Sequence, residues 1–475
     1  MAVTVLIPAP LRPYAGGREA VPVEATSVGE LLERLGAQHA ELKRHLFAED
    51  GRLRSFVNVY VNDRDIRRLA RGDTPVGPGD TVSIVPSIAG GTAVAERRPQ
   101  LSHDEILRYS RHLILPEVGI EGQTKLKAAR ILLVGAGGLG SPAALYLAAA
   151  GVGTLGLVDF DVVDRTNLQR QILHGTSKIG TSKLASARER IAEVIPHVAV
   201  ETFETRLTSE NALDILRGFD VVVDGSDNFP TRYLVNDACV LLGTPNVYGS
   251  IFRFEGQAAV FAAKDGPCYR CLYAEPPPPG LVPSCAEGGV LGVLPGIVGS
   301  IQAMEAIKLV LARGEPLIGR LLLFDALTLT FRELRLEKDP DCPVCGARPT
   351  ITALIDYEAF CGVGAEPVAQ GAEITAAELQ AEWARNPALV VIDVREPHEH
   401  QIARIDGARL IPLGDLPGRL GELDGHADLV THCKTGARSM KALQILKGAG
   451  FARVRNLQGG IEAWSRDVDP TVPRY

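Results

Sequence analysis

Ile131-Leu132-Leu133-Val134-Gly135-Ala136-Gly137-Gly138-Leu139-Gly140 is the stretch whose reading decides the fold. Four apolar residues make a buried strand, and the glycine loop feeds a helix that continues through Leu145 to Ala150. Glycines let backbone approach a ligand closely, and the bare N–H groups at a helix start favour a phosphate. A second strand ends at Asp159, 24 positions after Gly135, where an acid can accept hydrogen bonds from a ribose. The pattern predicts an α/β domain with a mainly parallel, Rossmann-like sheet. The run from Ile131 to Val158 carries no charge and is long enough to span a bilayer, but its seven glycines and the aspartates that end it favour a buried core. Gly288 to Met304 is a second uncharged run, and Pro295 within it suits a buried loop and helix. No membrane partner is expected.

Taken alone, the loop fits a nicotinamide dehydrogenase or a mere packing turn. The residues downstream decide. Asn167-Leu168-Gln169-Arg170-Gln171 follows the acid, and Lys183 follows that. A nucleotidyl-transfer site must neutralise a triphosphate of about four negative charges, and fixed Arg and Lys groups do so. Val221-Val222-Val223-Asp224 reads as another strand, delivering Gly225-Ser226-Asp227-Asn228 to the sheet's C-terminal edge. Asp227 is suited to hold Mg²⁺ on the phosphates; a solvated turn aspartate is the plain alternative.

A chain of 475 residues implies two to four domains. The net charge of −7 argues against nucleic acid as the main ligand. No secretory signal pattern is visible, and eight cysteines are too few for a disulfide scaffold at this length, so a reducing, cytoplasmic location is expected. Cys268-x-x-Cys271 and Cys342-x-x-Cys345 supply four thiolates that suit tetrahedral, structural Zn²⁺. Cys285 lies in a Pro-rich loop and is either a reactive thiol or a bland one. Cys239 sits on an apolar helix pattern, and Cys361 reads as incidental.

These middle residues resemble the MoeB/ThiF family, relatives of the ubiquitin-activating enzymes. The match runs from Arg108-Tyr109-Ser110-Arg111 through the glycine loop, Asp159, Asn167 to Gln171, Lys183 and Asp227-Asn228 to Cys268-Tyr269-Arg270-Cys271. The resemblance implies ATP bound by Gly138, Asp159, Asn167, Arg170, Lys183, Asp227 and Asn228. It also implies that the two CxxC pairs meet on one zinc, and that Arg111 reaches the partner subunit's nucleotide in a homodimer. In similar proteins a cysteine at the place of Cys285 is proposed to attack the activated glycine or a later acyl disulfide.

The flanking segments extend this reading. From Met1 to Gly91, strands at Val3–Ile7 and Ala20–Glu24 precede a helix opened by a Ser27/Glu30 capping box, and strands at 56–62 and Thr81–Pro86 follow. That order and the Gly90-Gly91 end resemble the ubiquitin-like β-grasp sulfur carriers (MoaD, ThiS, CysO). Residues 92–100 read as a linker, 101–355 as the adenylyltransferase domain, 356–372 as a second linker and 373–475 as a third domain. There Asp428–His432 forms a strand running into Cys433-Lys434-Thr435-Gly436-Ala437-Arg438 and a helix. A cysteine at that junction faces several backbone N–H groups, which stabilise a thiolate and equally a persulfide anion. With four residues between Cys433 and Arg438, the loop is shorter than the tyrosine-phosphatase C-x5-R loop. It resembles the rhodaneses, as do Asp393-Val394-Arg395 and Leu457-Gln458-Gly459-Gly460-Ile461.

Together these resemblances imply an enzyme that adenylates the terminal glycine of a sulfur carrier and loads sulfur from a Cys433 persulfide, with Arg438 in the active loop and Cys285 a candidate acyl-accepting thiol. The sulfur donor expected is a cysteine desulfurase or thiosulfate. Molybdopterin or cysteine synthesis is the first expectation, with thiamine synthesis or tRNA thiolation as the alternative. A dehydrogenase and a non-catalytic docking scaffold remain as rivals. Gly91 is followed by Thr92, so the carrier is either cut after Gly91 or supplied separately.

Overall fold

The computed structural model describes residues 2–16, 18–48, 53–54, 57–86, 99–278, 288–362 and 371–475. Gly90, Gly91 and Cys285 lie outside them. The chain divides into two compact units, Met1–Arg97 and Arg98–Tyr475.

In the first unit, strands β1 (Val3–Leu6), β2 (Ala20–Val23), β3 (Val57–Val61), β4 (Arg64–Asp65) and β5 (Thr81–Pro86) form one sheet in the order β2-β1-β5-β3-β4. β1 and β5 are parallel at its centre, and the other pairs are antiparallel. Helix Val28–Gln38 lays Val28, Leu31, Leu32 and Leu35 on the sheet, against the inward valines of β1, β2 and β3. This closes a hydrophobic core made wholly from the unit's own residues. Ser27 Oγ accepts from Glu30 N–H at 3.4 Å, but the Glu30 carboxylate reaches past Ser27 to the N–H and hydroxyl of Thr26. The expected capping box is therefore half formed. Asn62 is a turn residue rather than a strand residue: Asn62 and Asp63 have φ of 45° and 67°, the left-handed pair that closes a tight β3–β4 hairpin. The two-residue strand β4 and the helix Ala40–Leu46, which buries Leu42 and Leu46, add to the expected elements.

The second unit holds an eight-stranded sheet of β6 (Arg130–Val134), β7 (Thr154–Asp159), β8 (Ala199–Glu204), β9 (Val221–Asp224), β10 (Asn246–Phe252), β11 (Glu255–Phe261), β12 (Arg320–Asp325) and β13 (Thr330–Arg335). Its order is β13-β12-β11-β10-β9-β6-β7-β8, parallel from β10 to β8 and antiparallel from β10 to β13. The uncharged run from Ile131 to Val158 is β6, helix Gly140–Ala149 and most of β7, all packed in the core. Helix Val293–Leu311 is long and apolar enough to cross a membrane by composition, with a mean hydropathy of 1.4. It lies instead along helix Gly140–Ala149 and the sheet. Gly299 permits that contact, because a Cβ there would meet Leu139 O at 2.5 Å.

Past β13 the short helix Tyr357–Phe360 packs on this same core, burying Tyr357 and Cys361. Cys361 is thus a core residue, not an incidental one. The C-terminal sheet, β14 (Glu373–Ile374), β15 (Val390–Asp393), β16 (Arg409–Leu410), β17 (Leu429–His432) and β18 (Val454–Leu457), is wholly parallel in the order β14-β18-β17-β15-β16. Its helices Ala376–Arg385, Ala437–Gly448 and Gly460–Asp467 help to close two apolar clusters around it.

Candidate functional site

The strand following β6 in sequence pairs on one side of it and β9 pairs on the other, and open α/β sheets bind ligands in the crevice where the order reverses. A cleft of about 490 Å³ lies there. Gly135, Gly137, Gly138, Asp159, Arg170, Lys183, Asp227 and Asn228 line it, as do Gln171, Ser226 and Arg232. The loop must be glycine: Gly135 has φ of 94°, and a Cβ on Gly140 would sit 1.9 Å from Gly135 O.

The charges are arranged by short bonds. Asp159 accepts from Ala136 N–H at 2.8 Å through one oxygen and from Asp161 N–H at 2.9 Å through the other. This fixes its carboxylate at the loop's mouth. Lys183 Nζ lies 2.7 Å from Asp161 and 4.0 Å from Asp159, so it is already neutralised on one side. Arg170 donates to Asn167 Oδ1 at 3.0 Å and has no carboxylate partner among the described residues. Asn167 orients Arg170 rather than lining the cleft. Asn228 caps helix Phe229–Leu242 by accepting from Thr231 N–H, which leaves the exposed Asp227 facing the cleft. Arg111 does not line it; it is exposed on the short helix Ser110–Leu113. Sequence reasoning passed over Asp161, Ser226 and Arg232, although Asp161 and Ser226 stand within two residues of positions it had selected.

The four cysteine sulfurs Cys268, Cys271, Cys342 and Cys345 lie within 4.8 Å of one another. The Cys268–Cys342, Cys271–Cys345 and Cys268–Cys271 separations are 3.5, 3.4 and 3.9 Å. Tetrahedral zinc with Zn–S near 2.3 Å requires S–S edges of about 3.8 Å, so the set fits that ion. Arg270, inside the first CxxC, is buried and pairs with the equally buried Asp237 at 2.9 Å. Tyr357 donates to the same carboxylate at 2.8 Å, which ties the metal loop to the helix Tyr357–Phe360.

In the C-terminal domain, Cys433 is fully buried at the end of β17. Its sulfur accepts from Gly436 N–H at 3.1 Å and from Ser439 Oγ at 3.4 Å. Gly436, at φ of 108°, makes the turn that aims its N–H inward. In the active loop, Arg438 grips the buried Glu399 with two bonds of 2.6 and 2.7 Å. Glu399 is the missed residue here; it lies 39 positions upstream, and nothing local to the loop announces it. Behind the cysteine, Asp393 pairs with Arg395 at 2.5 Å and with His400 at 2.9 Å. Burial alone would raise the Asp393 carboxyl, but Arg395, His432 and His400 outweigh it and hold it at about 2. Burial pushes His432 down to about 4.

Comparison with known proteins finds a family match in each of three successive segments. The ThiS family matches residues 5–91, the ThiF family residues 109–344 and the rhodanese-like domain residues 375–467. A probable adenylyltransferase/sulfurtransferase MoeZ of Mycobacterium tuberculosis is 51% identical over 391 residues, covering 80% of this chain and 98% of its own. The chain belongs to the MoeZ/MOCS3 adenylyltransferase and sulfurtransferase family. The adenylyltransferase and sulfurtransferase MOCS3 of Drosophila yakuba is 41% identical over 458 residues, covering 93% of this chain and 98% of its own. The β-grasp unit, the cleft and the Cys433 cradle lie, in that order, in the three segments that match these families.

Proposed function

We propose that this enzyme adenylates the C-terminal glycine of a ubiquitin-like sulfur carrier and then transfers persulfide sulfur to it, giving a carrier thiocarboxylate for molybdopterin or cysteine synthesis. The observation that carries this reading is the presence, in one chain, of a glycine-loop cleft lined by Asp159, Arg170, Lys183 and Asp227 and of a cysteine sulfur held by inward N–H and O–H donors.

Gly138 and the start of helix Gly140–Ala149 offer N–H groups to phosphate, Asp159 accepts from the ribose, and Arg170 and Lys183 neutralise charge as it shifts from the α- to the β-phosphate. Asp227, with Asn228 beside it, would hold Mg²⁺, which when bound offsets the phosphate charge. A carrier carboxylate oxygen attacks the α-phosphorus and pyrophosphate leaves. The terminal sulfur of the Cys433 persulfide then attacks the acyl carbon and AMP leaves, forming an acyl disulfide. A thiol, with Cys285 as candidate, attacks the Cys433 sulfur of that disulfide; the old S–S bond breaks, the carrier departs as thiocarboxylate, and the new disulfide left on Cys433 is reduced by an external thiol before the next cycle. Gly436 and Ser439 stabilise the anionic sulfur of the resting persulfide. The Cys268, Cys271, Cys342 and Cys345 set would hold zinc in a structural role.

Arg111 serves the partner subunit's nucleotide in a homodimer. Its exposed position supports this, as do the exposed Ile114, Leu115 and Ile120 beside it. The sulfur donor is a cysteine desulfurase or thiosulfate. The carrier is the N-terminal unit after cleavage at Gly91, or a separate protein of the same kind. The enzyme works in the cytoplasm. Carrier-dependent ATP–pyrophosphate exchange tests the first half-reaction. Cys433→Ala should leave exchange intact and abolish thiocarboxylate formation; loss of both activities would refute the division of labour.

A further inference from the structure

The strand order separates the two ends of the cleft. Asp159 ends β7, so the ribose belongs to the β7 side of the glycine loop, with the phosphates running from there along the loop toward Asp227. The same cleft continues to the β9 and β10 side, where Ser226, Arg232, Ser250 and Phe252 line it. Arg232 stands one turn into helix Phe229–Leu242. Its Nη2 donates to Ser226 O at 3.2 Å and its Nη1 to the Tyr248 hydroxyl at 3.4 Å, and its guanidinium lies 5.4 Å from the centre of the Tyr248 ring. It pairs with no carboxylate among the described residues. Its Nε is enclosed and bonds no protein group, and the same holds for the hydroxyl of Ser226, a residue only 7% exposed.

A guanidinium stays charged at any working pH, and enclosing that charge without a counter-ion is costly. Asp224 attracts the Arg232 guanidinium but forms no ion pair with it among the described residues; one Asp224 oxygen instead accepts from Ser226 N–H at 2.9 Å. The cleft therefore offers a fixed cation and an uncommitted hydroxyl on the side away from the ribose. A carboxylate approaching a polyphosphate meets like charge. A planar fork of N–H donors at its entry offsets that repulsion and aims an oxygen lone pair.

Resting on the adenylation reading, we propose that Arg232, seconded by Ser226 Oγ, receives the carboxylate of the carrier's terminal glycine and holds it for attack on the α-phosphorus. Arg232 is then a substrate-binding residue for the acyl partner and not for the nucleotide.

The test titrates a separately produced carrier, Met1–Gly91, whose core closes on itself, against the full-length enzyme. Pyrophosphate exchange gives the carrier KM and calorimetry gives the ATP Kd. Arg232→Gln should raise the carrier KM roughly 10- to 100-fold while ATP Kd stays within about twofold. Arg232→Lys should recover part of the loss, because it keeps the charge but not the fork. Ser226→Ala should raise the carrier KM several-fold. A folded Arg232→Gln enzyme with unchanged carrier KM overturns the assignment, and so does one whose ATP affinity falls by the same factor. If that variant does not fold, an unchanged carrier KM in Ser226→Ala overturns it alone. A wild-type enzyme without any exchange overturns the adenylation reading itself.

Discussion

Acidification from about pH 7.5 to about pH 5 should remove about 2 kcal/mol of stability from the C-terminal domain through one side chain, His432. The imidazole is fully enclosed between β15 and the Cys433 loop. Burial lowers its pKa from 6.5 to about 4, although the Asp393 carboxylate 3.9 Å away pulls in the opposite direction. The unfolded chain takes up a proton near pH 6.5 and the folded domain only near 4. Between those values the unfolded state binds more protons, so stability falls as pH falls. The full gap is worth roughly 3.4 kcal/mol, of which about 2 is spent by pH 5. Asp393 adds nothing in this window: its pKa is lowered from 3.8 to about 2, so its contribution is complete above 3.8 and is lost only below that. The assay is available in the intact protein, because its two tryptophans, Trp383 and Trp464, both lie in this domain with rings 6.4 Å apart. Urea unfolding followed by tryptophan fluorescence should show a midpoint lower by roughly 1 to 2 M at the acid end. His432→Asn, whatever its stability at neutral pH, should lack that slope. Wild-type and variant midpoints falling in parallel would refute the reasoning.

Other consequences follow from the same geometry. Lys183→Ala should cut pyrophosphate exchange by about 10²- to 10³-fold with little change in melting temperature, since its partner Asp161 is half exposed; exchange within threefold of wild type would remove Lys183 from the phosphate site. Asp237→Asn leaves the buried Arg270 charge uncompensated and should cost about 3–5 kcal/mol, seen as a melting point lower by about 10 °C. Zinc content should fall with it, because Arg270 sits inside the Cys268–Cys271 loop. Purified enzyme should carry about one zinc per chain by metal analysis, and chelation should lower its melting temperature without releasing sulfur from Cys433.

The parts of the site that are local in sequence were legible. The glycine loop, the acid at Asp159 and the cations that follow lie within one strand–helix–strand unit and its continuation. Cys433 is defined by the strand before it and the helix after it. What was not legible depends on distant pairing. Asp393 lies directly across from His432 only because β15 and β17 run parallel in that register. Arg438 finds its partner Glu399 only because that residue arrives on another helix. Arg232 reads as an ordinary helix arginine until β10 places Tyr248 under it. In the first unit, the seven residues of helix Ala40–Leu46 make two turns, too short for a periodic pattern to declare itself.

The seating of Tyr357 and Cys361 against the middle domain also sets a leash length. The third domain is anchored from Ala372 onward, where Asn456 N–H donates to Ala372 O at 2.8 Å. The span left between Cys361 and Ala372 reaches at most about 40 Å when drawn straight. If Cys433 carries the persulfide as proposed, that sulfur is held near its own chain's cleft at an effective concentration of millimolar order, well above that of a freely diffusing sulfurtransferase in dilute solution. Lengthening that span with flexible residues should slow sulfur delivery while leaving carrier activation untouched.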